Sequence, residues 1–186
     1  MTEKQTNKFI DFNKIRSEFP ILERNINNHK MVYLDSAASA QKPKVVIETL
    51  ENAYLETYSN VHRGLHWLSE QSTFKYEEVR KKVAKFLGAK NENEIIFGSG
   101  ATQLINLIAN SWGGKFLKQD DEIIITVADH HANIVPWQLV SQKTGAKIKA
   151  MPVDENGEFN ISSLKNIITK KTKIVSVPHV SNVLGT

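Results

Sequence analysis

The residues best suited to chemistry lie in the loop 98–102, Gly-Ser-Gly-Ala-Thr, which stands between a short apolar segment and an amphipathic helical pattern. A helix that begins here directs unpaired backbone N–H groups, and the positive end of its dipole, at any ligand above it. The two glycines let the backbone approach such a ligand closely, and the hydroxyls of Ser99 and Thr102 add donors. The loop therefore predicts a cradle for a phosphate group.

Two histidine pairs raise the question of a metal site. His62 and His66 are four residues apart, but a glycine between them argues against a helix, and Arg63 stands where a general base would be needed. His130 and His131 are adjacent, and neighbouring side chains on a loop diverge. We therefore expect no metal. Two other roles are open for the flat imidazole of His130: it stacks on an aromatic ligand, or it is a hydrogen-bonded loop residue.

The elements that must position these residues follow from hydrophobic periodicity. From residue 94 onward, short apolar segments alternate with helical patterns, which predicts βαβ units in an open, mostly parallel sheet with helices on both faces. Ligands of such sheets lie beyond the carboxyl ends of the strands, so the loops 98–102, 128–133 and 179–182 should share one crevice. The predicted strands are 94–98, 122–127, 147–153 and 173–178, and the predicted helices are 101–112, 133–143 and 161–169.

The first part of the chain is less regular. A polar, frayed tail is expected at 1–8, followed by a short helix at 11–19 with Asp11 as its cap and an apolar strand at 31–34. Two longer helices are predicted at 43–58 and 71–87, joined by a polar link, and Gly88 is expected to cap the end of the second. The chain stops just after a predicted strand, where a compact domain seldom ends, so we expect it to be the front part of something longer.

Composition narrows the function classes. The net charge is +4 with a pI of about 9.2, but the basic residues are scattered rather than clustered among aromatics, so no nucleic-acid partner is expected. There is no cysteine, which excludes a disulfide framework, a cysteine nucleophile on this chain and thiolate metal sites. No apolar run reaches the roughly 20 residues needed to cross a bilayer, and the polar N-terminus is unlike a secretion signal. We expect a cytoplasmic protein without a membrane partner.

Four motifs in register carry a resemblance to a known family. They are Tyr-Leu-Asp-Ser-Ala-Ala-Ser-Ala-Gln-Lys-Pro at 33–43, Val-His-Arg-Gly-Leu-His at 61–66, Asp-His-His-Ala-Asn-Ile-Val-Pro-Trp-Gln at 129–138 and His-Val-Ser-Asn-Val-Leu-Gly-Thr at 179–186. From about Phe12 to its end the chain resembles the N-terminal half of SUF-type (group II) cysteine desulfurases. These are pyridoxal 5′-phosphate (PLP) enzymes of the class V aminotransferase group. The resemblance implies PLP-dependent transferase fold type I, here truncated.

The resemblance also implies roles for residues of the cofactor site. Thr102, with the amide groups of Gly100 and Ala101, would hold the PLP phosphate. His130 would stack on the pyridine ring and is a candidate for proton transfers. Asn182 would contact the ring hydroxyl side and the substrate carboxylate. Many relatives carry Thr-Thr-Glu where this chain has Ala-Thr-Gln at 101–103, so one phosphate hydroxyl is absent here.

Further roles concern the substrate. Ala37 and Ala38 would line the substrate pocket, where their small size leaves room for an amino acid. His62 and Arg63 would lie near the mouth of an active site. Because the family is dimeric, this could be the active site of the same subunit or that of the partner subunit. The expected domains are an N-terminal tail and helix segment at 1–30 and the first, incomplete part of the large PLP-binding domain at 31–186.

The implied reaction converts L-cysteine to L-alanine and leaves an enzyme-bound persulfide, which a sulfur-acceptor protein carries toward iron–sulfur cluster assembly. The family's Schiff-base lysine, the carboxylate paired to the pyridine nitrogen and the acceptor cysteine all lie beyond the position of Asn182 in relatives. We therefore expect this chain alone to be inactive and to bind PLP weakly or not at all. The alternatives are a selenocysteine lyase or related PLP enzyme of the same family, a non-catalytic truncated stub, and, at the level of fold, a nucleotide-binding module.

Overall fold

The structure is a computed structural model that describes residues 10–186. It divides into two compact units, one ending at Ile95 and the other spanning Ile96–Thr186. The predicted tail at 1–8 lies outside the described residues. Within the described part of the chain, no helix is both long enough and apolar enough to cross a membrane.

The first unit opens with helix α1 (Phe12–Ser17), where the predicted cap is confirmed because the Asp11 carboxylate accepts the N–H groups of Asn13 and Lys14 at 3.0 and 3.1 Å. Two short antiparallel strands follow, β1 (Asn25–Ile26) and β2 (His29–Lys30). The asparagines between them both have positive φ, as a two-residue hairpin turn requires.

The strand predicted at 31–34 is wrong. A strand needs a neighbour that completes its ladder of hydrogen bonds, and among the described residues this segment makes one such bond, from the Met31 N–H to the Arg24 carbonyl at 3.1 Å, and pairs with no strand. Val32 and Leu34 are 77% and 91% exposed. The apolar pattern was real, but the described residues do not bury it.

Two helices complete the first unit. Helix α2 (Lys44–Asn52) continues through one wider π-type turn to Thr57, close to the predicted bounds. Helix α3 (Trp67–Leu87) ends at Gly88 with φ +71°, as predicted for a C-cap glycine. It begins four residues earlier than predicted (71 − 67 = 4), because the His66 imidazole caps it by accepting the Ser69 N–H at 3.4 Å.

The second unit confirms the predicted α/β architecture. Its three parallel strands, β3 (Glu122–Thr126), β4 (Lys147–Met151) and β5 (Thr172–Val175), lie in the order β4-β3-β5, so the first of the three in sequence is central. The elements in chain order are α4 (Ala101–Ile108), α5 (Gly114–Phe116), β3 (Glu122–Thr126), α6 (Val135–Thr144), β4 (Lys147–Met151), α7 (Ile161–Ile167) and β5 (Thr172–Val175). A π-type turn at Ala109–Gly113 joins α4 to α5.

The strand predicted at 94–98 is also wrong. Glu92–Glu94 form a 3-10 turn, capped because Asn91 Oδ1 accepts the Asn93 N–H and the Glu94 carboxylate accepts the Asn91 N–H, each at 2.9 Å. The extended residues after it pair with no strand among residues 10–186. Sequence periodicity detects an apolar extended segment, but it does not supply the neighbouring strand that a sheet requires.

The core of the second unit forms between β3 and α6. Every residue of β3 is buried, and Ile123 and Ile125 pack with Trp137 and Val140 of α6. Burying one such side chain stabilises the fold by roughly 1.5–3 kcal/mol. This core fixes the direction of β3, and therefore the position of the loop that leaves its carboxyl end.

Candidate cofactor site

The loops that follow β3 and β5 meet at one edge of the sheet. The two strands are parallel, with Ile123 opposite Ile174, so the backbone leaves both strands at the same edge of the sheet. The Ser181 hydroxyl donates to the carbonyl oxygen of Ala128 at 3.0 Å, which joins the two loops directly. Ser181 is 2% exposed, so this bond is shielded from water.

The start of α4 presents free backbone donors. Its first intrahelical bond runs from the Leu104 N–H to the Gly100 carbonyl, so the N–H groups of Ala101 and Thr102 have no helical acceptor. No side chain caps this end, and a Cβ at Gly100 would meet no atom within 4 Å. An anion can therefore approach this helix end closely.

The loop before α4 is folded by Gln103. Its side-chain oxygen accepts the Ser99 N–H at 2.7 Å and the Ser99 hydroxyl at 3.0 Å. A Cβ at Gly98 would lie 2.6 Å from a Leu104 side-chain carbon, so glycine is needed for this close approach. The Ser99 hydroxyl, expected to be a free donor, is used by Gln103 in this structure.

The turn after β3 holds His130 in a defined form. The backbone N–H of His130 donates to the Asp129 carboxylate at 2.8 Å, and the ring Nδ1 accepts the Ala132 N–H at 3.0 Å. A neutral imidazole that accepts at Nδ1 carries its proton on Nε2. The exposed ring therefore offers Nε2–H to a ligand. Helix α4 packs against the 3-10 turn His131–Asn133, which places this turn beside the same helix that carries Thr102.

The two neighbouring histidine rings do not converge. The ring centroids of His130 and His131 lie 6.5 Å apart, with an angle of 54° between their planes. Within residues 10–186, no group of three or more His, Asp or Glu side chains is placed to hold a metal ion.

Sequence reasoning missed the role of Asn133. This side chain is 9% exposed, and its Nδ2 donates to the Asp129 carboxylate at 2.6 Å. Its Oδ1 accepts the Trp137 indole N–H at 3.1 Å and the Ser176 hydroxyl at 2.6 Å. The sequence gives one signal for this network, a polar residue that opens the otherwise apolar run Asn-Ile-Val-Pro-Trp at 133–137.

Asn182 lies in a short turn after β5. Ser181 anchors this turn, because its hydroxyl oxygen accepts the N–H groups of Val183 and Leu184 at 3.4 and 3.2 Å. The Asn182 side chain is exposed. The turns that carry His130 and Asn182 are thus joined through Ser181 and Ala128.

The predicted substrate residues lie in the first unit. Ala37 and Ala38 are exposed in a turn in which Asp35 O accepts the Ala38 N–H at 3.2 Å. The hydroxyl of Tyr33 donates to the carbonyl oxygen of Ser39 at 2.5 Å and fixes the far side of the turn.

His62 and Arg63 also belong to the first unit. His62 has a positive φ of 66°, and its N–H donates to the Thr73 hydroxyl oxygen at 2.9 Å. Its Nε2 lies 3.0 Å from the Glu77 carboxylate, which also pairs with Arg80 at 3.0 Å. Arg63 is exposed next to this anchored position.

The chemistry of the donor set in the second unit suits a phosphorylated aromatic ligand. The uncapped start of α4 offers N–H groups to a dianion, and the exposed His130 ring lies on the turn packed against that helix. The Asn182 amide adds both a donor and an acceptor on the adjoining turn.

The fold and this site define a class of protein. The model of the family described as aminotransferase class-V matches residues 32–186, and the chain belongs to that family. The resemblance expected from the four sequence motifs is therefore confirmed.

Within that family the chain is similar to cysteine desulfurases. A protein named "Probable cysteine desulfurase" from Synechocystis sp. is 50% identical over 171 residues, which are 92% of this chain and 41% of that protein. The apo structure of a cysteine desulfurase from Thermococcus onnurineus NA1 is 38% identical with a TM-score of 0.82, covering 93% of this chain and 41% of that one. The structure of the cysteine desulfurase CsdA (S-sulfonic acid) from Escherichia coli is 37% identical with a TM-score of 0.79, covering 95% and 43%. The chain thus spans about two fifths of the length of these three proteins.

Proposed function

We propose that this chain is part of a PLP-dependent cysteine desulfurase and supplies half of its cofactor site. The observation that carries the proposal is that the turns after β3 and β5 meet, joined by the hydrogen bond from Ser181 to Ala128. Helix α4 packs against the turn after β3. Similarity to cysteine desulfurases over more than nine tenths of the chain supports the same reading.

The phosphate of PLP would lie at the start of α4. The N–H groups of Gly100, Ala101 and Thr102 and the Thr102 hydroxyl would donate to its oxygens, and the helix dipole favours its negative charge. Hydrogen bonds to a charged group contribute about 1.5–3 kcal/mol each. The alanine at 101 offers its backbone N–H but no hydroxyl.

The ring of the cofactor would lie against His130. This side chain would stack on the pyridine face and would hold or release a proton at Nε2, because Nδ1 is occupied by the Ala132 N–H. Asn182 would hydrogen-bond on the hydroxyl side of the ring and to the substrate carboxylate.

The substrate of the whole protein would be L-cysteine. PLP, when bound, supplies an electron sink that weakens bonds at the substrate's α and β carbons. The Cβ–S bond breaks, Cβ gains a proton to give L-alanine, and a thiol takes the sulfur as a persulfide. The chain has no cysteine, so that thiol lies outside these 186 residues. Ala37 and Ala38 would leave room for the amino acid, and His62 and Arg63 would lie at an active-site mouth.

The remaining expectations belong to the same proposal. The protein would act as a homodimer in the cytoplasm and would pass sulfur to an acceptor protein for iron–sulfur cluster assembly. The family membership supports these expectations.

The phosphate cradle can be tested on the chain itself. Pyridoxamine 5′-phosphate needs no lysine for attachment, so it probes the cradle alone. We expect it to shift the backbone amide NMR signals of Gly100, Ala101 and Thr102 in a ¹⁵N-labelled sample, with weak affinity. Pyridoxamine, which lacks the phosphate, is the matched ligand and should leave those three amides unmoved. Equal shifts with both ligands, or shifts confined to other residues, would contradict the proposed cradle.

A further inference from the structure

The amide of Asn133 has only one orientation that satisfies its neighbours. An indole N–H can only donate, so the atom that faces Trp137 at 3.1 Å must be the oxygen Oδ1. The same oxygen accepts the Ser176 hydroxyl at 2.6 Å. The nitrogen Nδ2 therefore faces the Asp129 carboxylate at 2.6 Å, a charge-assisted bond.

The second oxygen of this carboxylate holds the backbone of His130. Asp129 Oδ1 accepts the His130 N–H at 2.8 Å, while Oδ2 is held by Asn133. The Asn133 N–H in turn donates to the His130 carbonyl at 2.8 Å and closes the turn that brings the Ala132 N–H to the ring Nδ1. Hydrogen bonds thus link the buried Asn133 amide to the backbone of His130, whose turn brings the Ala132 N–H to the ring.

We infer that Asn133 is a positioning residue for His130. Through Asp129, Asn133 holds the His130 ring in the Nε2–H form, and through Ser176 it ties the turn that carries His130 to the end of β5. This inference deepens the proposed function and rests on it for the use that the enzyme makes of His130. The hydrogen-bond network itself involves neither PLP nor cysteine. In the working protein, Asn133 would act by fixing which ring nitrogen of His130 can exchange a proton.

The Asn133→Asp variant isolates this link. It keeps the oxygen that Trp137 and Ser176 use and replaces Nδ2 by an oxygen that confronts the Asp129 carboxylate. We expect the Ala132 amide to exchange with solvent about fivefold to tenfold faster. Long-range ¹H–¹⁵N spectra of the His130 ring should lose the pattern of a single Nε2–H tautomer. Asn160→Asp is the matched control, because Asn160 caps α7 with its oxygen and an aspartate can do the same.

A double variant decides between positioning and general damage. Combining Asn133→Asp with Asp129→Asn exchanges the amide and the carboxylate, so a donor again faces an acceptor. We expect the wild-type His130 ring pattern and slow Ala132 exchange to return. If Asn133→Asp does not fold, a folded double variant with wild-type His130 signals supports the inference. Wild-type signals in the single variant, or no recovery in the double variant, would overturn it. Because no cofactor is present, such a result would leave the pyridoxamine 5′-phosphate test of the proposed function unaffected.

Discussion

The buried hydroxyl of Ser181 donates to the carbonyl oxygen of Ala128 at 3.0 Å, across 53 residues of sequence (181 − 128 = 53). This bond joins the turn that carries His130 to the turn that carries Asn182. The same Ser181 oxygen accepts the N–H groups of Val183 and Leu184, so one side chain organises the end of the described chain.

Replacing Ser181 by alanine should loosen the turn after β5. Three hydrogen bonds are lost, and the Ala128 carbonyl loses its partner, so we expect the second unit to lose about 1–2 kcal/mol of stability. Urea unfolding and amide exchange at Leu184 measure the effect. Ser163→Ala is the control, since that exposed hydroxyl serves only the start of α7. Equal losses in both variants would argue against a special role for Ser181.

Stability of the second unit should fall in acid because of Glu122. The Lys149 ammonium, 2.8 Å away, and the hydroxyls of Thr169 and Thr172 lower the pKa of Glu122 from 4.5 to about 2. A carboxyl with a lowered pKa in the folded state stabilises the fold above its unfolded pKa. That contribution should be lost as the pH falls from about 4.5 toward 2.

The predicted loss of stability is checked by measuring urea unfolding midpoints between pH 7 and pH 2 for the native chain and for Glu122→Gln. The variant should show a flatter decline over that window, while Glu155→Gln, which changes an exposed acid, should follow the native profile. If the stability of the native chain and of Glu122→Gln fell in parallel, Glu122 would not be the cause of the loss of stability in acid.

The core between β3 and α6 should be intolerant of truncation. Ile123 is fully buried against Trp137 and Val140, so Ile123→Ala should cost about 2–5 kcal/mol through lost burial and the cavity left behind. Ile161 is 63% exposed, and Ile161→Ala should change stability by less than about 1 kcal/mol. Chemical denaturation followed by tryptophan fluorescence compares the two. A small loss at Ile123 would mean that β3 is not the centre of the core.

Restoring a hydroxyl at position 101 should strengthen phosphate binding. Ala101→Thr adds a donor to the exposed first turn of α4, and we expect pyridoxamine 5′-phosphate to bind about threefold to tenfold more tightly. Thr102→Val should weaken binding by a similar factor, because it removes a hydroxyl and keeps the shape. NMR titration measures the affinity of both variants for pyridoxamine 5′-phosphate. The proposed cradle requires that the two substitutions change this affinity in opposite directions.

The chain alone should not turn over L-cysteine. No cysteine is present to accept sulfur, and none of its lysines is expected to replace the Schiff-base lysine. Assays for alanine and for sulfide with added PLP should remain at background. Borohydride reduction followed by mass spectrometry should find no stoichiometric pyridoxyl group on a single lysine. Finding one would refute this expectation.

Local sequence determined several elements. The Asp11 cap, the Gly88 end of α3 and the parallel strands with their intervening helices all follow from short-range chemistry and hydrophobic spacing. The four motifs at 33–43, 61–66, 129–138 and 179–186 likewise identified the family from residues alone.

Other features depended on partners far away in sequence. The segments 31–34 and 94–98 have the apolar pattern of strands, but strand formation needs a continuous hydrogen-bonded neighbour, and neither segment pairs with a strand among the described residues. The orientation of the Asn133 amide is set by its neighbours Asp129 and Trp137 together with Ser176, which lies 43 residues away in sequence.

Sequence by itself therefore settled most of the helices, the three parallel strands, the family and most of the residues to examine, because propensity, capping and motif spacing act over a few residues. Only the tertiary structure decided which apolar segments pair and which nitrogen of His130 carries the proton. Strand pairing depends on backbone partners that approach through space, and the His130 tautomer depends on the turn that brings the Ala132 N–H to the ring; a one-dimensional pattern specifies neither.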